Sequence, residues 1–394
     1  MIKILFFSIF LIFLSNCSFN SSSNFWTKEK KIKEQNKNIK IYKLNQEKEV
    51  LVKEFNTNIK LKLNARLSKN SFIANLDNNN GIINYDGSLK KSSKFKFSKI
   101  TNFENLEPEL VFHKNGLIFF NNKGTILNFG KNSKLIWKKN IYTKKERKLN
   151  PVLFFSSDGK ILIVTDSIGK YYALNIDDGE LIWKYNHSSP FNSQIKIYED
   201  KFFTVDYESR LNCFSTKNGK KIWNVNTEES FIKSIKKISL IIKNDLVIFN
   251  NSIGDISAVN LNTGKLAWQT PTQNTNVYAD SFKLQISELV SESSSIFFSN
   301  NRNEFYSLDL ETGLLNWKQK VNSNIRPTVS QEIIFTISLE GFLVILDKNN
   351  GNIIRVTDVF SNFKKREKIN PTGFIVGKNL IYLTTSNGKL ILIN

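Results

Sequence analysis

A fourteen-residue pattern recurs four times in this chain, and no other feature of the sequence narrows the fold as far. Lys170-Tyr-Tyr-Ala-Leu-Asn-Ile-Asp-Asp-Gly-Glu-Leu-Ile-Trp183 returns as Arg210-Leu-Asn-Cys-Phe-Ser-Thr-Lys-Asn-Gly-Lys-Lys-Ile-Trp223. It returns again as Asp255-Ile-Ser-Ala-Val-Asn-Leu-Asn-Thr-Gly-Lys-Leu-Ala-Trp268 and as Glu304-Phe-Tyr-Ser-Leu-Asp-Leu-Glu-Thr-Gly-Leu-Leu-Asn-Trp317. Each copy holds a glycine four residues before its tryptophan (Gly179, Gly219, Gly264, Gly313) and a small residue ten before it (Ala173, Cys213, Ala258, Ser307). Two further copies are degraded. Residues 125–137 keep Trp137 but carry Ser133 in the glycine position, and residues 342–355 keep Gly351 but carry Arg355 in place of the tryptophan. A last copy runs from Gly388 to Asn394.

Each piece of the pattern has a physical reading. The segment before the glycine alternates as a strand does, and its small residue permits close packing toward the centre of the fold. Asp-Asp-Gly, Lys-Asn-Gly, Asn-Thr-Gly and Glu-Thr-Gly are hairpin turns in which glycine takes the positive φ of a tight reversal. The tryptophan opens the next strand and can wedge between neighbouring units, its N–H meeting a carbonyl. Another apolar run precedes each copy, for example Ile161-Leu-Ile-Val-Thr165 and Leu246-Val-Ile-Phe249, so one unit amounts to about four short strands. The copies begin at Gly124, Gly169, Ser209, Gly254, Asn303, Gly341 and Gly388, a period of about 44 residues. Units of that size predict an all-β chain folded as a single β-propeller. Seven copies are visible, and Ile83-Asn-Tyr-Asp-Gly-Ser-Leu89 offers a decayed hairpin for one more, so eight blades are expected, with seven as the alternative. The last blade lacks its outermost strand, and the alternating Asn58-Ile-Lys-Leu-Lys-Leu63 is the strand expected to complete it and close the ring.

Residues 1–17 read as an export signal. A lysine at position 3 is followed by an apolar run from Ile4 to Leu14, too short to span a bilayer as a helix and of the length of a secretory signal core. Leu14-Ser15-Asn16-Cys17 resembles the lipobox of bacterial lipoproteins, which implies an acylated Cys17 as the first mature residue. Asn16 departs from the small residue usual at that place. The resemblance also implies the periplasmic face of the outer membrane, because Ser18 replaces the aspartate associated with inner-membrane retention. Residues 18–50, with eight Lys and four Glu between Trp26 and Val50, read as a flexible charged tether. The propeller is expected to occupy 51–394.

The Ala-Leu-x-x-x-x-Gly-x-x-x-Trp unit resembles the quinoprotein-type propeller repeat. That repeat is shared by pyrroloquinoline-quinone dehydrogenases and by the BamB-like lipoproteins of the outer-membrane β-barrel assembly machinery. The lipobox-like start and the single-propeller length favour the BamB-like branch. Membership there implies a non-enzymatic scaffold whose partner is a barrel-assembly membrane protein with periplasmic domains. The dehydrogenase branch is the alternative, and a propeller that binds cell-wall polymers or other ligands is a third. Dehydrogenases of this kind carry a vicinal cysteine pair and acidic calcium ligands, whereas Cys17 and Cys213 lie far apart in sequence.

Searching the residues for chemistry yields no catalytic, metal or cofactor site. His113 and His187 are distant and have no metal-ligating spacing. No phosphate-binding glycine loop and no nucleophile elbow is present. Asp177, Asp178 and Asp309 are explained by turn formation. The formal charge of +21 is spread along a Lys- and Asn-rich chain, which argues for solvated strand edges and against a nucleic-acid partner. Loops after Trp183, Trp223 and Trp268 are the candidate binding elements. Phe191, Phe231 and Ile232 stand in them amid polar residues, either as exposed anchors or as caps over the core beneath. Two basic loops, 144–148 and 364–368, read as solvated or as contacts to anionic lipid or an acidic partner.

Overall fold

The computed structural model describes residues 51–59 and 110–394, apart from 115, 229–233, 235, 273–282, 364–368 and 378. The expected leader, tether, Ile83–Leu89 hairpin and basic loop 364–368 lie outside these residues. Among the described residues, 27 strands form seven antiparallel sheets, which follow one another along the chain over 111–139, 153–186, 196–226, 240–270, 290–319, 328–358 and 371–393. The first six have four strands and the seventh three, in each case neighbours in sequence and in space. This is the propeller that the repeat period predicts. The hairpin expected to supply an eighth blade lies outside the described residues, which contain seven sheets.

Six apolar clusters hold the sheets together, and each draws its members from two consecutive sheets. A middle strand therefore has to be apolar on both faces. In Ile161–Asp166, Leu162 and Val164 pack toward the first sheet while Ile163 packs toward the third. The outermost strand covers nothing beyond itself, so Leu181–Asn186 is exposed except at Trp183.

The tryptophans cross the seams between sheets. Trp137, Trp183, Trp223, Trp268 and Trp317 each lie against the turn glycine of the following sheet: Gly179, Gly219, Gly264, Gly313 and Gly351 respectively. A Cβ on Gly179 would sit 2.7 Å from the Trp137 ring, and one on Gly264 would sit 2.8 Å from the Trp223 ring. These glycines also have φ near +70°, so their lack of a side chain serves both the reversal and the close approach of the indole. Four of the five indoles also donate to a backbone carbonyl of the following sheet: Trp137 to Ile176, Trp183 to Thr216, Trp268 to Leu310 and Trp317 to Lys348, at 2.9–3.2 Å. The buried Trp223 N–H has no such partner among the described residues.

The small residue of the repeat has a different role from the one expected. Ala173, Cys213, Ala258 and Ser307 stand directly opposite Trp183, Trp223, Trp268 and Trp317 in the strand ladder. Opposed residues share a sheet face, so the small side chain makes room for the indole across the strand pair. A bulge follows that pair in each of these sheets and lets the strand bend.

A second recurrence, invisible as identical letters, sets the turn between the two middle strands. Three residues before each of Gly124, Gly169, Ser209, Gly254, Asn303, Gly341 and Gly388 stands a side chain with an acceptor oxygen: Asn121, Asp166, Asp206, Asn251, Asn300, Ser338 or Thr385. Asp166 Oδ1 accepts from the N–H groups of Ile168 and Lys170 at 2.9 and 2.7 Å, and Asn121, Asp206 and Asn251 repeat the arrangement. Asn300, Ser338 and Thr385 each accept at least one such bond. These bonds satisfy turn amides that the strand ladder leaves over.

Residues 51–59 show where the ordered N-terminal segment attaches. Phe55 and Val356 exchange backbone bonds of 3.1 and 2.9 Å on the outer strand of the sixth sheet. Asp358 N–H donates to Glu54, and Arg355, in the tryptophan position, donates to the Ile59 carbonyl. The expected closing strand was placed at 58–63. Its described part, Asn58 and Ile59, runs beside the sixth sheet, and 60–63 lie outside the described residues.

Two outcomes follow from the seams. Gly313→Ala is expected to destabilise the protein by about 2 kcal/mol or more, through strained φ and an indole contact that has to shift, whereas Ser133→Gly, relieving a φ of 58°, should stabilise it by about 1 kcal/mol. Trp183→Phe should cost about 1 kcal/mol more than Trp223→Phe, because only the former leaves a carbonyl without its donor; urea denaturation of the four variants tests both. A third outcome concerns acid. Burial favours the neutral form of Glu304, but bonds from Asn300, Lys318 and Tyr306 outweigh it and hold the carboxyl at about 2 against an ordinary 4.5. The resulting stabilisation is present above pH 4.5 and is lost as pH falls toward 2. Glu304→Gln should flatten the stability profile across that window by roughly 2 kcal/mol, as followed by denaturant melts at successive pH values.

Candidate functional site

The three loop residues read as binding anchors separate on inspection. Phe191 is 1% exposed and is not an anchor: it stacks on His187 with ring centroids 4.8 Å apart and meets Tyr171 edge-on, within the core between the second and third sheets. The polar letters around it belong to a loop that folds its one aromatic side chain inward, where a ring gains most from burial. Phe231 and Ile232 lie outside the described residues, as does Cys17. Cys213 is fully buried, and burial pushes its thiol up to about 12, the behaviour of a packed core cysteine.

Both histidines are taken up by carboxylates. His187 Nε2 lies 2.9 Å from Asp206, which also accepts from Arg210 and Asn212. Burial works to raise the Asp206 carboxyl, but these bonds prevail and hold it below the usual range. His113 and Lys114 reach Asp177 in the next sheet, so Asp177 bridges two sheets, while the turn bond expected of it is supplied by Asn175. Asp178 and Asp309 do form their turns. Among the described residues no group of three or more His, Cys, Asp and Glu is placed to hold a metal ion, and no helix is long and apolar enough to cross a membrane. The basic segment 144–147 forms one helical turn with a capping box between Thr143 and Glu146.

Two other regions offer recognition chemistry. The first is the outer rim. Among the described residues, the strands Leu135–Lys139, Leu181–Asn186, Lys221–Asn226, Leu266–Thr270 and Leu315–Gln319 end their sheets, with one edge outside the ladder. Beside these edges the hairpins present aliphatic side chains to solvent: Ile136, Ile182, Ile222, Leu266 and Leu314 are 48–69% exposed. Such an edge can take an extended strand, and the sixth sheet does so with the chain's own Phe55.

The second region lies where inner strands converge. Glu288, two residues before the inner strand of the fifth sheet, has Lys237 of the fourth sheet's leader at 3.9 Å and Arg326 of the sixth at 3.6 Å. Lys236 donates to the Asn324 carbonyl at 3.3 Å, from the leader of the fourth sheet to that of the sixth, past the intervening fifth. Side chains of non-adjacent sheets meet in this way only where the inner strands face a common centre. Burial opposes ionisation of Glu288, but Lys237, Arg326, Lys196 and Lys236 together keep its carboxyl below the ordinary range. Repeat spacing carried no sign of this cluster, because its members come from different sheets, and the two that share a repeat position, Glu288 and Arg326, are opposite in charge.

Residues 122–357 match the family described as outer membrane protein assembly factor BamB. The chain is similar to the protein of that name from Shewanella oneidensis, 23% identical over 249 residues, covering 59% of this chain and 58% of that protein. It therefore spans somewhat less than two thirds of that relative's length. It is also similar to the quinohemoprotein alcohol dehydrogenase ADH-IIG of Pseudomonas putida, 26% identical over 126 residues, but over only 27% of this chain and 18% of that protein. Among solved structures it resembles BamB from Moraxella catarrhalis, with a TM-score of 0.57 and 15% identity over 73% of this chain and 88% of that one, a likeness of fold. With the family match covering more than half its length and the repeat units stacked as sheets of a propeller, the chain belongs to the BamB family of outer membrane protein assembly factors.

Proposed function

We propose that this protein is a non-enzymatic scaffold for outer-membrane β-barrel assembly, anchored by lipid at Cys17 to the periplasmic face of the outer membrane. Its partner is a barrel-assembly membrane protein with periplasmic domains, and it works without a cofactor. The match of residues 122–357 to the assembly-factor family carries the proposal. The rim supports it: outer strands with open edges and exposed aliphatic side chains beside them suit the holding of another polypeptide, and pairing of Phe55 with Val356 is an instance of that mode within the chain. Leader and lipobox-like residues 1–17 supply the route to the membrane.

Similarity to a quinohemoprotein alcohol dehydrogenase favours a second reading, a quinone-dependent oxidation. The described residues do not fit that cofactor's acidic metal site, since they gather no set of carboxylates and Glu288 is engaged by cations. Dye-linked alcohol or sugar oxidation on addition of pyrroloquinoline quinone and calcium would establish this reading in place of the scaffold.

Tagged protein purified from membranes should bring with it a barrel-inserting membrane protein, and mass spectrometry should find an acylated Cys17 at the mature N-terminus. Deletion should lower outer-membrane β-barrel proteins; unchanged levels would refute the scaffold role. Ile182→Lys combined with Leu314→Lys should cut partner recovery by roughly tenfold, a loss of about 1.4 kcal/mol. These residues are exposed, so their replacement should shift stability by no more than about 0.5 kcal/mol.

A further inference from the structure

Between the first and second sheets the chain makes a short projection that the stacking of sheets does not require. Its two ends are seated firmly: Tyr142 and Pro151 are buried, and both lie against Gly124 of the first sheet's middle turn. Of the eight residues between them, all but Glu146 are exposed. They keep their shape through the capping box of Thr143 and Glu146, the helical turn Lys144–Arg147, and a bond of 3.0 Å from Arg147 Nε to the Tyr142 carbonyl. A shaped loop on a rigid seat is the setting in which loops carry binding groups.

The charge of this projection has one sign. Lys144, Lys145, Arg147 and Lys148 stand on it, and Lys123 lies at its foot, where its carbonyl accepts from Asn140 at 2.9 Å. The single carboxylate of the segment is already engaged. Glu146 accepts from the Thr143 N–H at 2.8 Å with one oxygen and meets Lys170 of the second sheet at 3.0 Å with the other, and these bonds hold its carboxyl below the ordinary range. Among the described residues none of the five cations is paired with a carboxylate. At about 100° per residue, the four cations of the turn cover an arc of about 160°, and Glu146 lies outside it, turned toward the second sheet. Leu149 follows them directly and is 64% exposed.

Such an arc suits a fluid anionic plane better than a folded acidic partner. A protein segment is met by cations on one stripe or around a groove, whereas these spread round a projecting turn. Ammonium groups on long flexible stems follow mobile headgroups without a fixed geometry, and Leu149 gains by entering the acyl boundary that those headgroups cover. We propose that residues 144–149, with Lys123, form a second membrane contact, which binds an anionic phospholipid surface and turns the junction of the first and second sheets toward it. The inference deepens the function proposed above and rests on its placement of the protein at a membrane.

The test floats the full chain carrying Cys17→Ser, which removes the acylation site, with vesicles of phosphatidylcholine alone or with roughly 30% phosphatidylglycerol. The anionic vesicles should bind more than about a hundredfold more tightly, and about 0.5 M sodium chloride should abolish the difference. Lys144→Gln, Lys145→Gln and Lys148→Gln together should weaken binding to the anionic vesicles about a hundredfold, at the usual worth of a lysine beside such a surface. The same charge removed as Lys217→Gln, Lys220→Gln and Lys221→Gln, from the third sheet's outer hairpin, should change it by less than about twofold. Leu149→Ser should weaken it about fivefold and leave the salt dependence intact. All of these side chains are exposed, so the variants should keep the stability of the parent in urea. Equal binding to both kinds of vesicle, undiminished binding after the first triple replacement, or as large a loss after the second would overturn the contact. Calorimetric binding of a hexaglutamate peptide with no preference between the vesicles would also overturn it, and would make the patch a seat for an acidic protein segment. Failure of this contact leaves acylation of Cys17 untouched, whereas an unacylated Cys17 in the wild-type protein refutes the anchor and leaves the contact standing.

Discussion

Contact between an indole and a turn with no side chain is the interaction on which this architecture depends. Each sheet is a simple meander that buries little by itself, and its stability comes from the faces that it shares with the sheets on either side. The tryptophan is the longest reach across that seam, and its glycine receptor belongs to the next repeat, about 44 residues along. A unit of this sequence is therefore specified only in the presence of its neighbour, which is the logic of a repeat array closed by stacking. The same logic explains the degraded copies. In the sixth sheet, Arg355 takes the tryptophan place and a strap from residues 54–59 covers the outer strand with backbone bonds. In the first sheet the turn keeps its positive φ with Ser133, which shows that reversal alone does not demand glycine; the indole does.

Polar groups follow the same periodic economy. Every middle turn is secured by a side-chain oxygen three residues before its positive-φ residue, although the identity of that side chain varies among Asn, Asp, Ser and Thr. Where an aspartate occupies the position, its spare oxygen is used for links particular to that sheet. Asp206 gathers His187, Arg210 and Asn212, and Asp166 takes the Tyr142 hydroxyl at 2.6 Å. These buried carboxylates are structural, and their setting differs from that of Glu288, which faces cations from three other sheets.

Function attaches to such a ring at places where the repeat is broken or its edges are left open. Among the described residues, the rim, with exposed aliphatic side chains beside the outer strands, and the hub, where cations from three sheets gather around Glu288, are two places where side-chain chemistry departs from what stacking requires. A third departure is the strap at 51–59, which shows an outer edge in use.

Sequence alone determined the strand-turn-strand grammar, the period and the family, because the glycine, the tryptophan and the small residue are fixed by local sterics that repeat with the chain. It also identified Cys213 as core. It left Phe191 open between anchor and core cap, since a ring among polar letters looks the same in a row of residues whether its loop turns outward or inward; the structure makes it core. The partner of each tryptophan, the reason for the small residue opposite it, and the bridging role of Asp177 were settled only by tertiary structure, which decides which unit faces which. The hub is the extreme case. Its charges are separated by up to about 130 residues and form no repeating pattern of like letters, so they become neighbours only when inner strands of different sheets converge on one centre.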